Sequence, residues 1–433
     1  MRRAARNGLA RAWRVDSARA SLERWQETCA AAGWGDVPEH LDELVRVFGA
    51  SWYFTRLLFY RGPAGAAIID AREIPDCTPA HLDARFEQSV ADLDEAHALE
   101  ALREVKNDVM LGLLRAWLLE EMSLAVLEGA LSRLAVALLR ALARLFGLEG
   151  GQAGFAILGM GRLAGEEMIF GSDLDLIFLY GGRDATETAA LYTNVRKLLR
   201  HVAAVTPAGL LYEVDMRLRP HGTAGPLVTS ADAFVDYHRQ DREIWERQMM
   251  TRCRPVFDPA SLAGESMERI AASLYGRYRD PDLREAIASM RMRVERELGS
   301  PRDKFEIKRG PGGVMDVDFL CHYLQLLHGH DEPALRTCST RHALDTLESM
   351  GRLEAPAAAR LRTGYDYLKR VECCLRLFDM KSISTVSRDD RDLSVLARAM
   401  IGPDASPRDF SRELLEVCAD VRAVFNSVLQ SGD

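Results

Sequence analysis

Apolar positions along this chain follow two different periods, and the switch between them marks its organisation. From about residue 83 to 147 apolar side chains recur at helical spacing. Ser123, a residue type favoured at helix N-caps, divides that stretch into helices expected over roughly 88–121 and 124–147. Gly147, Gly150 and Gly151 end the run. Upstream, residues 1–60 read as short amphipathic helices broken at Gly33-Trp34-Gly35-Asp36, and 61–80, rich in Gly, Pro and small residues, as a connector. Downstream the period shortens. Residues 154–159 form a short apolar strand, 173–180 a second and 210–218 a third, with a helix over 186–205, a compact α/β unit of about 100 residues. Pro220-His221-Gly222 and Gly225-Pro226 mark a loop before a helix at about 230–252. From about 280 onward the pattern is helical again, interrupted by Lys308-Arg309-Gly310-Pro311-Gly312-Gly313. The expected class is α+β, with a helical region over 1–82, an α/β domain with its preceding helices over 83–255, and a helical bundle over 256–433.

Length and composition narrow the function. At 433 residues the chain exceeds one ordinary core. Hydrophobic content of 48% with 28% charge is that of a soluble globular protein. A net charge of −8 argues against bulk nucleic-acid binding, which leaves a basic footprint. The most apolar stretch, 109–147, is interrupted by Arg115, Glu120, Glu121, Glu128, Arg133 and Arg140, so no membrane span is expected. The basic start, Met1-Arg2-Arg3-Ala4-Ala5-Arg6, is followed by no apolar signal core and reads as a solvated helix start. Eight cysteines contain no C-x-x-C pair, which suits reduced thiols in a cytoplasmic protein. His322, His328 and His330 lack supporting ligand spacing and read as structural.

The candidate chemistry lies at the strand entrances. Asp173 and Asp175 open the apolar run Leu176-Ile177-Phe178-Leu179-Tyr180, and a later acidic strand carries Glu213, Asp215 and Arg217. Alternation points Asp173 and Asp175 to one side, and Glu213, Asp215 and Arg217 likewise. Two adjacent strands then bring three carboxylates together, an arrangement suited to a pair of Mg2+ ions holding a nucleoside triphosphate, and hence to nucleotidyl transfer. In this reading Asp173 and Asp175 bridge the two ions and Asp215 completes the second ion's shell. The upstream turn Gly159-Met160-Gly161-Arg162-Leu163-Ala164-Gly165 supplies phosphate contacts, with Gly161 and Gly165 allowing close backbone approach and Ser172 as an extra donor. Arg217 and Arg219 are anion contacts or surface partners of Glu213 or another acid. Lys308 and its glycine loop either face the nucleotide from the second domain or simply precede a helix whose early acids, Asp316 and Asp318, suit the helix dipole.

Gly159-Met160-Gly161-Arg162-Leu163-Ala164-Gly165, Gly171-Ser172-Asp173-Leu174-Asp175-Leu176-Ile177, Asp215-Met216-Arg217-Leu218-Arg219-Pro220, Trp245-Glu246-Arg247 and Gly310-Pro311-Gly312-Gly313-Val314-Met315-Asp316 resemble the glutamine synthetase adenylyltransferase family, from about residue 45 to the end. The resemblance implies a polymerase-beta-like nucleotidyltransferase domain followed by a helical bundle. It also implies transfer of AMP from ATP to a tyrosine of glutamine synthetase, with regulation through the PII signal protein. Family members commonly have two related halves, one adding AMP and one removing it by phosphorolysis, whereas this chain has one. Its Gly-Ser before Asp173 and its Gly-Pro-Gly-Gly loop resemble the adding half; Trp245-Glu246-Arg247 and Arg254-Pro255 resemble the removing half. Ala164 stands where the family commonly has Gly. The adding direction is expected. The alternatives are AMP removal, uridylyl transfer to a signalling protein, and a catalytically silent module that docks on glutamine synthetase.

Overall fold

The computed structural model describes residues 2–34, 39–149, 154–182, 185–240, 243–299 and 304–429. The first part is helical: α1 (Arg2–Arg11), α2 (Val15–Ala32), α3 (Leu41–Ala50), α4 (Trp52–Arg61), α5 (Pro63–Ala71), α6 (Pro79–Val90), α7 (Glu95–Leu118) and α8 (Leu124–Leu145). Gly33 ends α2 in a left-handed turn, its N–H donating to the Cys29 carbonyl. Gly35, Asp36, Gly150, Gly151 and Met1 lie outside the described residues. Ser123 caps α8 as expected, its Oγ accepting the Val126 N–H at 3.3 Å. Two expectations fail here. Residues 61–80 are not a connector throughout, because Gly62 turns the chain at φ 56° and Pro63 starts α5 at N1, where a missing N–H is harmless. The helix expected over 88–121 is two helices, because Asp94 accepts the Ala96 and His97 N–H groups, each at 3.0 Å, and starts α7 afresh.

The α/β unit follows as β1 (Phe155–Met160), α9 (Gly161–Gly165), β2 (Leu174–Tyr180), α10 (Ala185–Val202), β3 (Val214–Asp215), β4 (Thr229–Ser230), α11 (Ala231–Arg239), α12 (Ile244–Met250) and β5 (Cys253–Phe257). The sheet order is β3-β2-β1-β5, with β4 also paired to β2. β1 is antiparallel to β2 and to β5, while β3 and β4 run parallel to β2. Every residue of β1 is buried, which is why it reads as a continuous apolar run. The strand expected over 210–218 shrinks to Val214–Asp215, since Arg219 gathers the carbonyls of Met216, Thr223 and Gly225 and draws that segment into a compact loop. The helix expected over 230–252 splits into α11 and α12. β5 was hidden by Pro255, which an edge strand tolerates.

The remainder comprises α13 (Leu262–Leu274), α14 (Asp280–Leu298), β6 (Lys304–Glu306), α15 (Val314–His328), α16 (Thr340–Ser349), α17 (Ala355–Leu377), β7 (Thr385–Ser387), α18 (Asp390–Met400) and α19 (Pro407–Leu429), with β6 and β7 antiparallel. The Gly310–Gly313 loop is a packing device. A Cβ on Gly312 would lie 1.8 Å from the Cys418 carbonyl oxygen of α19. Asp316 is fully buried, accepts the Gly312 N–H at 2.7 Å and pairs with Arg291 at 2.6 Å and Arg422 at 3.0 Å. Among the described residues no helix is long and apolar enough to cross a membrane, and all eight cysteines are free.

Candidate functional site

The apolar residues of β1 and β2 fix the sheet, and the sheet fixes the acids. Leu174 and Leu176 are buried, so alternation turns Asp175 to the opposite face, toward Asp173. β3 lies beside the start of β2 with Asp175 opposite Asp215 in register. Ligand oxygens of Asp173, Asp175 and Asp215 consequently all lie within 4.8 Å of one another. Gly161 has φ 54°, and a Cβ there would stand 3.1 Å from Asp175 Oδ2, so a glycine leaves the carboxylate its room. Burial, then the charges of Asp173 and Asp215, push the Asp175 carboxyl up to about 7. The Arg217 guanidinium, hydrogen-bonded to both Asp215 oxygens at 3.0 and 2.8 Å, holds Asp215 below the usual carboxylate range. An open cleft of about 410 Å³ is lined by Asp173, Glu213, Asp215, Met216, Arg217 and Arg219. A larger apolar cavity of about 710 Å³, between α2, α4 and residues 205–210, holds no carboxylate. Three converging hard oxygen donors that repel one another in a shared site fit a divalent cation such as Mg2+.

The other expected site residues divide into two groups. Arg162 and Lys308 lie beside the triad: the charge of Asp173 acts on Arg162, and that of Lys308 on Asp175. Arg162 and burial together bring the Lys308 ammonium down to about 8. The second group is committed inside the chain. The Gly161 N–H donates to the Arg252 carbonyl at 2.9 Å, so it is not free for a phosphate. Gly165 faces Arg252 and the Cys338 carbonyl, where a Cβ would come within 2.6 and 2.8 Å. Buried Ser172 accepts the Ile169 N–H at 3.0 Å. Arg219 holds its loop carbonyls, and Arg217 holds Asp215. For Arg217 the structure shows the pairing with an acid that the sequence left open beside anion contact, while the Gly161 N–H, Gly165, Ser172 and Arg219 each have a backbone or packing partner within the chain.

Sequence reasoning missed the buried charges behind the site. Arg162 Nη2 lies 2.6 Å from Glu372 Oε1, and Arg376 Nη2 2.9 Å from the same oxygen. Glu167 accepts hydrogen bonds from Arg252, from the Thr340 N–H at 2.7 Å and from the Tyr365 hydroxyl at 2.8 Å. A signal did exist. Lys369, Glu372 and Arg376 recur at helical spacing in phase with Tyr365, Leu368 and Val371, so charges occupy the apolar stripe of α17.

A mixed sheet with an acidic β2–β3 edge, flanked in sequence by helices, is a nucleotidyltransferase-type domain. The chain belongs to the glutamate-ammonia ligase adenylyltransferase family, whose model matches residues 41–269. A GlnD PII-uridylyltransferase model matches residues 282–429. Similar proteins include bifunctional glutamine synthetase adenylyltransferase/adenylyl-removing enzymes. That of Shewanella frigidimarina is 32% identical over 81% of this chain and 39% of its own length. That of Shewanella loihica is 30% identical over 87% of this chain and 42% of its own, and that of Shewanella woodyi 36% over 53% and 25%. The chain therefore spans about two fifths of the length of the curated relatives that match most of it.

Proposed function

We propose that the chain transfers AMP from ATP to a tyrosine of glutamine synthetase. The observation that carries this is the Asp175–Asp215 register, which gathers three carboxylates within 4.8 Å beside the cations Arg162 and Lys308. The printed names of the relatives support the acceptor. Asp173, Asp175 and Asp215 hold two Mg2+ ions, which when bound supply charge neutralisation at the entering and departing oxygens. Arg162 and Lys308 bind and orient the phosphates. Arg217 releases Asp215 as ligands enter and meets the phosphates from the exposed side. The tyrosyl oxygen bonds to the α-phosphorus and its proton passes to solvent. The bond from that phosphorus to the β-phosphate oxygen breaks, and pyrophosphate leaves. The PII-uridylyltransferase match over 282–429 supports a regulatory partnership with the PII signal protein. Eight free thiols support a cytoplasmic setting.

The relatives are also named for AMP removal, and the same triad serves it, with inorganic phosphate attacking adenylylated tyrosine to release ADP. The test is label transfer from α-labelled ATP to glutamine synthetase with Mg2+, comparing wild type with Asp173→Asn. Label with wild type and a loss beyond about a hundredfold in the variant is expected, since a direct ligand matters more than an outer-shell partner. No label, with ADP released from pre-adenylylated glutamine synthetase and phosphate, assigns removal instead. Silence in both directions rejects glutamine synthetase as the substrate.

A further inference from the structure

Around Glu372 there are more cations than anions. Its Oε1 receives both Arg162 and Arg376, at 2.6 and 2.9 Å, and its side chain is fully buried. Lys308 is close enough for Arg162, Glu372 and Arg376 all to act on its charge. The other nearby charges are taken. Lys369 lies 3.0 Å from Glu128 and donates to the Glu167 carbonyl at 2.9 Å, while Asp318 accepts from Arg252 at 3.2 Å and Thr340 at 2.9 Å. Among the described residues Lys308 has no ion-pair partner, and the buried Arg162 Nη1 has no hydrogen-bond partner. A buried guanidinium N–H left unpaired carries a desolvation penalty, which an anionic oxygen removes. Arg162 lies just after the strand that borders Asp175, and Arg376 Nη1 donates at 3.3 Å to the carbonyl of Gly171, two residues before Asp173. The end of α17 closes on this same turn, where a Cβ on Gly171 would stand 2.9 Å from the Met380 carbonyl carbon.

We propose that Glu372 is a positioning residue of the nucleotide site: from α17 it fixes Arg162 so that the free Nη1, together with Lys308, receives the triphosphate chain. Arg376 braces Glu372 from the opposite side and ties the arrangement to the turn that bears Asp173. The C-terminal helices thereby complete a site whose carboxylates lie on β2, on β3 and on the turn that leads into β2. This rests on the nucleotidyl-transfer reading above. It differs from a plain ion-pair glue in one respect: its loss must be felt by the phosphates and not by the adenosine.

The test is equilibrium binding of ATP and of AMP to the full chain with Mg2+, for wild type, Glu372→Gln, Arg162→Gln and the double variant. Each single change is expected to weaken ATP by about tenfold while AMP shifts by less than about twofold, and the double variant is expected to be no weaker than the worse single, because the two residues act as one unit. Equal weakening of ATP and AMP, or effects that multiply in the double variant, overturns the proposal. Should Glu372→Gln fail to fold, Glu372→Asp keeps the charge and withdraws it by one methylene; a selective loss of ATP is again expected, and unchanged ATP binding overturns the proposal. Wild type that binds ATP beside variants with unchanged affinity removes the positioning role alone. Wild type that binds no ATP removes this inference and the nucleotidyl-transfer reading together.

Discussion

Asp175 and Asp215 stand opposite each other across β2 and β3, yet their carboxyls feel different fields. Burial and two like charges act on Asp175, whereas Asp215 has an arginine to itself. A residue behind β3 shows the same dependence on surroundings. Lys106 of α7 is buried, with its Nζ 3.3 Å from the Leu210 carbonyl and over the ring of Tyr212 at 5.2 Å. Burial, then Arg103, lowers its ammonium to about 7. Between that value and the unfolded 10.5 the unfolded chain binds a proton that the folded chain has released, so stability rises with pH through this window. The slope from this residue approaches about 1.4 kcal/mol per pH unit. Denaturant midpoints measured from pH 7 to 10 should lose that slope in Lys106→Met, with the variant the more stable at pH 7; an unchanged slope refutes it.

At the scale of elements, turns and caps decided what periodicity alone could not. Ser123 was legible as a cap because its oxygen serves a neighbour three residues away. The role of Gly312 was not, since the atom it must avoid lies on α19. Two glycines with nearly equal φ separate the two causes: Gly312 at φ 69° faces the Cys418 carbonyl, and Gly351 at φ 67° has nothing within 4 Å of a Cβ. Gly351→Ala should cost only the left-handed strain, about 1–2 kcal/mol. Gly312→Ala adds a backbone overlap and should lower stability by more than about 3 kcal/mol, the range of other severe core clashes. Equal shifts in urea midpoint for the two variants would show that α19 gives way freely.

For the whole molecule, one side chain ties the α/β unit to the C-terminal helices. Glu167 binds Arg252 from beside β5, the Thr340 N–H and Ser339 hydroxyl of the α16 start, and Tyr365 of α17. Its own carbonyl accepts Lys369 at 2.9 Å. Against burial, which raises it, the charges of Arg252, Lys369 and Arg341 and the Tyr365 hydrogen bond together bring the Glu167 carboxyl down to about 2. Glu167→Ala leaves Arg252 buried with Asp318 as its charged partner and the Thr340 hydroxyl as a neutral one, and should cost about 3–5 kcal/mol. Calorimetry is expected to show one transition for wild type, and a broadened or split one for the variant as the helices melt apart from the sheet. A single, unshifted transition would mean that apolar packing alone joins the two parts.

The sequence by itself determined the helical flanks, the two central strands and the identity of the acidic triad. All of these arise from short-range facts: the 3.6 and 2.0 periods, a serine at a cap, and two aspartates one residue apart. Arg162 stood in the glycine turn read as a phosphate contact, and for Lys308 facing the nucleotide was one of two readings. Only the tertiary structure brought the Arg252 carbonyl to the Gly161 N–H and the Arg252 side chain and Cys338 carbonyl to Gly165. It alone brought Glu372 to Arg162 across 210 residues of chain. Local spacing encodes which way a side chain points along its own element. Which charge meets it from another element depends on how the elements pack, and no period along the chain records that.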